Sequence, residues 1–347
     1  MRARWIARLA AGGATSLAFA LGGCGSGGPA SAARPDVHER LAIGRAWNCT
    51  DNEGCIADYA RFQALAADHA RPIDATSLRQ SLDAIGRHEV AVIQPPFDEG
   101  ELRGVLLDAL GVGFLVEGLD ERPIEALVTA ESANPSYRES DLILIDPWVG
   151  EIQAVLLRPL GPGPYPAVVA VHGHGDDAFV YRDDYHGSEF PGRGYALLIL
   201  TMRAMGIDEA EHGISRALLL DGFTLIGLRS YESLVGLTYL RSRDDVIHDR
   251  IGLIGHSGGS STGNLTIRVM DPANPERFKA YVSDHDVDFY SSGLLEPYHC
   301  ETVPALYPYH EAINDLDAAA TPTLVVPYAY PFGMANIFRF FDEHLKG

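Results

Sequence analysis

Ser257 stands where a serine can do covalent chemistry. The apolar run Ile251-Gly252-Leu253-Ile254 leads into Gly255-His256-Ser257-Gly258-Gly259, and Ser261 to Met270 continues with spacing that a helix accepts. A strand, a sharp turn and a helix in that order lift the central hydroxyl out of the backbone, while the flanking glycines let strand and helix approach each other. Gly-x-Ser-x-Gly alone says little in a chain with 36 glycines among 347 residues. Its place between an apolar strand and a helix is what gives it weight. Ser257 is therefore the expected nucleophile, against the plainer alternative of a tight βα turn in which the glycines serve packing only.

A second cluster ends another apolar run: Val168-Val169-Ala170-Val171-His172-Gly173-His174-Gly175-Asp176-Asp177. A glycine-rich loop there can aim a backbone N–H at the oxyanion formed when a serine attacks an acyl carbon, and the residue after the nucleophile supplies another. Gly173, His174 and Gly258 are the expected donors. The same loop has a rival reading as a zinc site, because His172, His174 and Asp176 resemble the start of the metallo-β-lactamase motif. Asp177 stands where that motif has a further His, and the mismatch favours the oxyanion role.

Both loops need a rigid frame. Ala167 to Val171, Tyr195 to Leu200, Ile251 to Ile254, Phe278 to Val282 and Thr323 to Val326 are apolar runs of the kind buried on both faces, and helix-length segments such as Leu218 to Arg241 separate several of them. That alternation specifies the α/β class, a mostly parallel sheet with covering helices. Ahead of it, Leu142 to Ile145 and Ile152 to Leu157 flank Asp146-Pro147-Trp148-Val149-Gly150 as an antiparallel hairpin. Ile56, Tyr59, Phe62 and Leu65 recur at helical spacing, and Ser77-Leu78-Arg79-Gln80 reads as a capping-box start for a helix ending at Gly86. The expected organisation is a helical N-terminal extension over 37–137, loosely assigned in 97–135, followed by a domain over 138–347.

From about Asp141 to Leu345 the chain resembles the α/β-hydrolase superfamily, and within it the dienelactone-hydrolase and acetyl-xylan-esterase-like group. The matching pieces are Asp146 to Gly150, Pro166-Ala167-Val168-Val169 leading into His172-Gly173-His174-Gly175, Arg203-Ala204-Met205-Gly206, Asp249-Arg250-Ile251-Gly252 and Gly255 to Gly259. The resemblance implies an α/β-hydrolase fold and cofactor-free hydrolysis of small-molecule or carbohydrate esters through an acyl-enzyme on Ser257. That group carries its Asp after the penultimate strand and its His after the last, whereas 21 residues follow Val326 in this sequence. Acid and base are therefore expected elsewhere. Ser283-Asp284-His285-Asp286-Val287-Asp288 follows the strand after the elbow, at the strand ends where α/β sites gather. Asp286 is the expected acid and His310 the expected base, with Asp284 and His299 as alternatives and His285 and His172 behind them. Each of these histidines also reads as an ordinary loop residue hydrogen-bonded at the surface. The departure motivates a rival from another class, a catalytically silent hydrolase-like domain that binds a ligand or partner.

Composition narrows the partners. At 46% hydrophobic the chain can bury a large core, and 47 acidic against 27 basic residues give a net charge of −20. Basic residues nowhere cluster with aromatic ones, which argues against nucleic acid. Arg2, Arg4 and Arg8 precede a short apolar run from Leu9 to Leu21, and Leu21-Gly22-Gly23-Cys24 resembles the bacterial lipobox. The implied arrangement is a signal peptide over 1–23, a lipidated Cys24, a flexible Gly/Ser-rich tether over 24–36, and export to the cell envelope with a lipid holding the protein to a membrane. Cys49 and Cys55 are spaced to close a small disulfide loop in an oxidising compartment, and Cys300 reads as a small buried hydrophobe.

Overall fold

Residues 52–94, 96–205, 208–284, 302–326 and 333–347 are described by the computed structural model of the chain. Helices α1 (Asn52–Leu65), α2 (Ala75–Gly86), α3 (Glu99–Leu110) and the short α4 (Gly113–Val116) come first. Strands β1 (Glu125–Ala133), β2 (Arg138–Asp146), β3 (Gly150–Arg158) and β4 (Tyr165–Val171) follow. Then come α5 (Ala178–Asp184), β5 (Ala196–Leu200), α6 (Asp208–Asp221), α7 (Leu225–Arg241), β6 (Val246–Gly255), α8 (Gly258–Val269), β7 (Tyr281–Ser283), α9 (His310–Asn314), β8 (Thr323–Val325) and α10 (Met334–Phe341). The strands form one sheet in the order β1-β2-β3-β5-β4-β6-β7-β8. β5, β4, β6, β7 and β8 run parallel, and β1, β2 and β3 add an antiparallel flank.

Strand alternation sorts the apolar runs into two layers. Leu156, Val169, Leu198 and Leu253 face a cluster shared with α1, α3, α7 and α8, through Phe62, Leu106, Leu228 and Leu265. Val155, Val168, Leu197, Ile199 and Ile254 face the other side, where Phe179 and Tyr181 of α5 and Ile337, Phe338 and Phe341 of α10 cover them. Fully burying one such aliphatic side chain is worth about 1.5–3 kcal/mol, so the central strands are held firmly from both sides. The expected hairpin forms in register Leu144↔Ile152. Its turn is fixed by Asp146, whose Oδ1 accepts from the Trp148 and Val149 N–H groups at 2.9 and 3.0 Å while Oδ2 accepts from the Tyr231 hydroxyl at 2.6 Å.

The N-terminal region departs from the expected helical extension in two ways. β1 lies inside the 37–137 segment and pairs antiparallel with β2 across the 137/138 boundary. α3 is also part of the main core: Leu102, Leu106 and Leu110 are buried in it, Arg103 Nε donates to the Val269 carbonyl at 2.9 Å, and both Glu99 carboxylate oxygens accept from the Ala320 N–H at 3.0 Å. Helix α2 ends at Gly86 as its spacing predicts, but it starts earlier than the Ser77 capping box. Asp74 is the N-cap and accepts from the N–H groups of Thr76 and Ser77 at 2.9 and 3.0 Å. On α1, Phe62 is buried and Leu65 is 44% exposed.

Candidate active site

The turn from β6 into α8 has the backbone of a nucleophile elbow. Ser257 sits at φ 50° and ψ −118°, a region that non-glycine residues occupy at a cost of about 1–3 kcal/mol and that persists only where the surroundings enforce it. The enforcement is visible in the glycines. A Cβ on Gly255 would lie 2.1 Å from the Gly259 carbonyl oxygen, and one on Gly259 would lie 2.3 Å from the Val171 oxygen and 2.7 Å from that of His172. Strand, helix and the loop after β4 thus meet backbone to backbone, and any side chain at either glycine would push them apart.

The β4 loop lies directly on the elbow. The His256 N–H donates to the Val171 carbonyl at 3.0 Å, and a Cβ built on Gly173 would stand 3.0 Å from Ser257 Cβ and 3.1 Å from His256 Cδ2. The His174 ring covers Gly258, with Cε1 2.3 Å from the place of a Cβ there. Gly173, His174 and Gly258, the expected oxyanion donors, are therefore gathered around Ser257. Gly258 opens α8, so its N–H belongs to the first turn, where helical amides have no intrahelical acceptor. An acyl oxygen held between the Gly173 and Gly258 amides would meet N–H dipoles and the positive end of α8.

His172 does something different. It is fully buried; its Nε2 accepts from the Met202 N–H at 2.8 Å, and its Nδ1–H donates to the Gly173 carbonyl at 2.8 Å. Burial pushes its pKa down to about 4, so the ring is neutral and joins β4 to the loop after β5. Both ring nitrogens are committed to backbone groups, and Asp176 Oδ2 accepts from the Tyr185 hydroxyl at 3.0 Å. The set His172, His174 and Asp176 therefore does not offer convergent zinc ligands, and the zinc reading does not fit this geometry.

Around His174 the partners are acidic and basic in alternation. Its Nε2 lies 3.5 Å from Glu211 Oε1, and the same oxygen accepts from Arg229 Nη2 at 2.6 Å. Arg229 also donates from Nε to the Arg203 carbonyl at 2.8 Å, and Arg203 pairs with Glu232 through Nε at 2.6 Å. These four charged side chains are buried behind the loop and hold it from beneath.

Of the expected acid and base residues, Asp284, His310 and His172 are described, and His172 is committed to backbone groups. His310 begins α9, with Nδ1 2.7 Å from the Tyr307 carbonyl and Nε2 3.4 Å from Glu311 Oε1. Among the described residues, no imidazole is hydrogen-bonded to the Ser257 hydroxyl. Asp284 is buried at the end of β7, and its Oδ1 accepts from His256 Nδ1–H at 2.6 Å. Asp286, His285, His299, Cys300, Cys24, Cys49 and the side chain of Cys55 lie outside what is described. Sequence reasoning passed over His256. No local sequence pattern marks it: the contact arises from the β6–β7 register, which pairs Gly255 with Ser283 and so brings the next residues, His256 and Asp284, side by side.

The sheet order, the crossover helices and the serine elbow define an α/β-hydrolase fold. No protein-family model matches the chain. A stretch of 110 residues, 28% of this chain, is 34% identical to YtaP of Bacillus subtilis (strain 168), a protein named provisionally as a hydrolase; the match spans 37% of that protein's length. Among solved structures, an acetyl xylan esterase from Paenibacillus sp. R4 superposes with a TM-score of 0.51 at 15% identity, over 79% of this chain and all of its own. Acetyl xylan esterase 1 from Thermoanaerobacterium sp. JW/SL YS485 gives 0.48 at 14% identity, over 79% of this chain and 99% of its own.

Proposed function

We propose that the protein is a serine hydrolase acting on carboxylic esters through an acyl-enzyme on Ser257. The observation that carries this reading is the strained backbone of Ser257, held against the glycine loop by backbone contacts at Gly255 and Gly259. Strain of that kind exposes the hydroxyl and aims the first amides of α8 at the carbonyl under attack. Attack by Oγ forms a tetrahedral oxyanion, which the Gly173 and Gly258 N–H groups stabilise; the second amide position of the loop, at His174, lies next to them. The similarity to acetyl xylan esterases supports acetylated carbohydrates as the first esters to try. Ser257→Ala is expected to abolish hydrolysis of p-nitrophenyl acetate, a loss of several orders of magnitude in kcat for a triad nucleophile; unchanged turnover would remove the assignment.

The Ser257 hydroxyl lacks an imidazole partner among the described residues, and this favours a second reading in which the domain binds an ester or acyl group without turning it over. Saturable binding of p-nitrophenyl acetate analogues without hydrolysis, together with no covalent labelling of Ser257, would favour it. We also propose export and membrane attachment through a lipidated Cys24. The full-length protein expressed in a bacterium should incorporate labelled fatty acid, and Cys24→Ser should lose it; equal labelling of that variant would end the lipobox reading.

A further inference from the structure

Resting on Ser257 as nucleophile, we propose that His256, held by Asp284, is the general base of the reaction. The pair is built by parallel strand register. β6 and β7 end flush at Gly255 and Ser283, the Asp284 N–H donates to the Gly255 carbonyl at 2.9 Å, and the Asp284 carboxylate then meets His256 Nδ1 at 2.6 Å. Asp284 is buried with no exposed surface, so its hydrogen bond to Nδ1–H fixes the tautomer and the orientation of the imidazole. With Nδ1–H given to the carboxylate, the lone pair belongs to Nε2, on the other side of the ring. That side carries Cδ2, which lies 3.1 Å from the point a Gly173 Cβ would fill, and Ser257 Cβ lies 3.0 Å from the same point. Asp176 Oδ2 lies 3.4 Å from that point as well, so the missing side chain at Gly173 leaves the serine, the ring edge and this carboxylate facing one space. Tyr185 packs against the ring at a tilt, with centroids 4.0 Å apart and planes at 34°, and Tyr185 donates a hydrogen bond to Asp176 Oδ2 at 3.0 Å.

The other described imidazoles near the loop are engaged differently. His172 has both nitrogens on backbone groups, and His310 faces Tyr307 and Glu311. His174 has a carboxylate neighbour, but at 3.5 Å, and Arg229 already occupies the same Glu211 oxygen at 2.6 Å. Its charge is therefore largely compensated before an imidazolium could form. Among the described residues, the ion pair made by Asp284 is the one with His256.

In the acylation step the Ser257 O–H bond breaks, its proton moves to His256 Nε2, and the Oγ–C bond forms as the carbonyl electron pair moves onto oxygen. Collapse of the oxyanion breaks the ester C–O bond, and the departing alkoxide takes the proton from Nε2. Water repeats the sequence: its proton goes to Nε2, its oxygen bonds the acyl carbon, and the expelled Oγ recovers the proton. The net products are one carboxylic acid and one alcohol.

The test uses the full chain, p-nitrophenyl acetate and four proteins: wild type, Ser257→Ala, His256→Ala and Asp284→Asn. His256→Ala is expected to lose on the order of 10²–10⁴-fold in kcat/KM with an unchanged circular dichroism spectrum, and added imidazole should restore part of the rate. Asp284→Asn is expected to fall comparably, by about 10²-fold or more, because the amide misorients the imidazole tautomer. If Ser257→Ala is inactive while His256→Ala stays within about threefold of wild type, the serine assignment stands and the base inference is overturned. A large loss in His256→Ala that imidazole does not rescue marks a structural role and also overturns it. Unchanged activity in Ser257→Ala overturns the reading beneath both. Should His256→Ala melt early, the isosteric Asp284→Asn decides the matter: a large loss at unchanged melting temperature supports the pair, and an undiminished rate overturns it.

Discussion

At the residue scale, His172 and His256 show how partners divide one side-chain type between two tasks. His172 is sealed between the Met202 N–H and the Gly173 carbonyl, and burial holds it neutral down to about pH 4. An unfolded histidine titrates near 6.5. Between those values the unfolded chain binds a proton that the folded one refuses, so stability rises with pH through that window and is level above it. The full effect is about 3 kcal/mol at 1.36 kcal/mol per unit. Urea unfolding from pH 7 down to 4.5 should therefore show a fall in stability that His172→Gln reduces; parallel pH curves for the two proteins would contradict this account. The turn at Ser257 and the glycine loop packed against it were legible because strand, tight turn and helix leave a local pattern in the sequence. The His256–Asp284 contact was not, since it joins residues 28 apart and exists only once two strands are placed in parallel register.

At the element scale, the elbow works because three backbones converge on it. Gly255→Ala is the sharpest probe, since its Cβ would fall 2.1 Å from the Gly259 carbonyl oxygen, a backbone atom that cannot rotate away. We expect a destabilisation of about 1–3 kcal/mol, read by thermal melting, along with loss of ester hydrolysis; a variant with wild-type melting and rate would show that the close approach does not matter. The central strands were readable as uninterrupted apolar runs, and the hairpin at Asp146 to Gly150 as two such runs around a Pro-containing turn. β1 was not, because its residues are almost all exposed at the sheet edge and its apolar stretch, Ala126, Leu127 and Val128, neither alternates with polar residues nor forms a long run. The start of α2 was misplaced for a related reason: Asp74 and Ser77 are both good capping residues, and the structure uses the earlier one.

At the scale of the whole molecule, two buried Arg–Glu pairs tie the loop after β5 to α6 and α7 under the active site. Arg203–Glu232 and Arg229–Glu211 have side chains that are essentially unexposed. Removing one member of such a pair leaves an uncompensated charge and costs about 3–5 kcal/mol, whereas replacing both with apolar residues costs far less. Chemical denaturation should therefore find Glu232→Met much less stable than Arg203→Met/Glu232→Met; equal or additive losses would contradict the coupling. The same view explains why the N-terminal helices do not form a separate extension: Phe62, Leu106 and Leu110 complete the layer that α7 and α8 present to the sheet. All of this architecture serves one claim, that the fold exposes Ser257 as a nucleophile in a prepared oxyanion site. The most direct measurement is treatment of the purified protein with a fluorophosphonate probe, followed by peptide mass spectrometry. The account predicts one covalent adduct on Ser257, absent from Ser257→Ala; a protein that stays unlabelled, or carries the adduct on another residue, would contradict it.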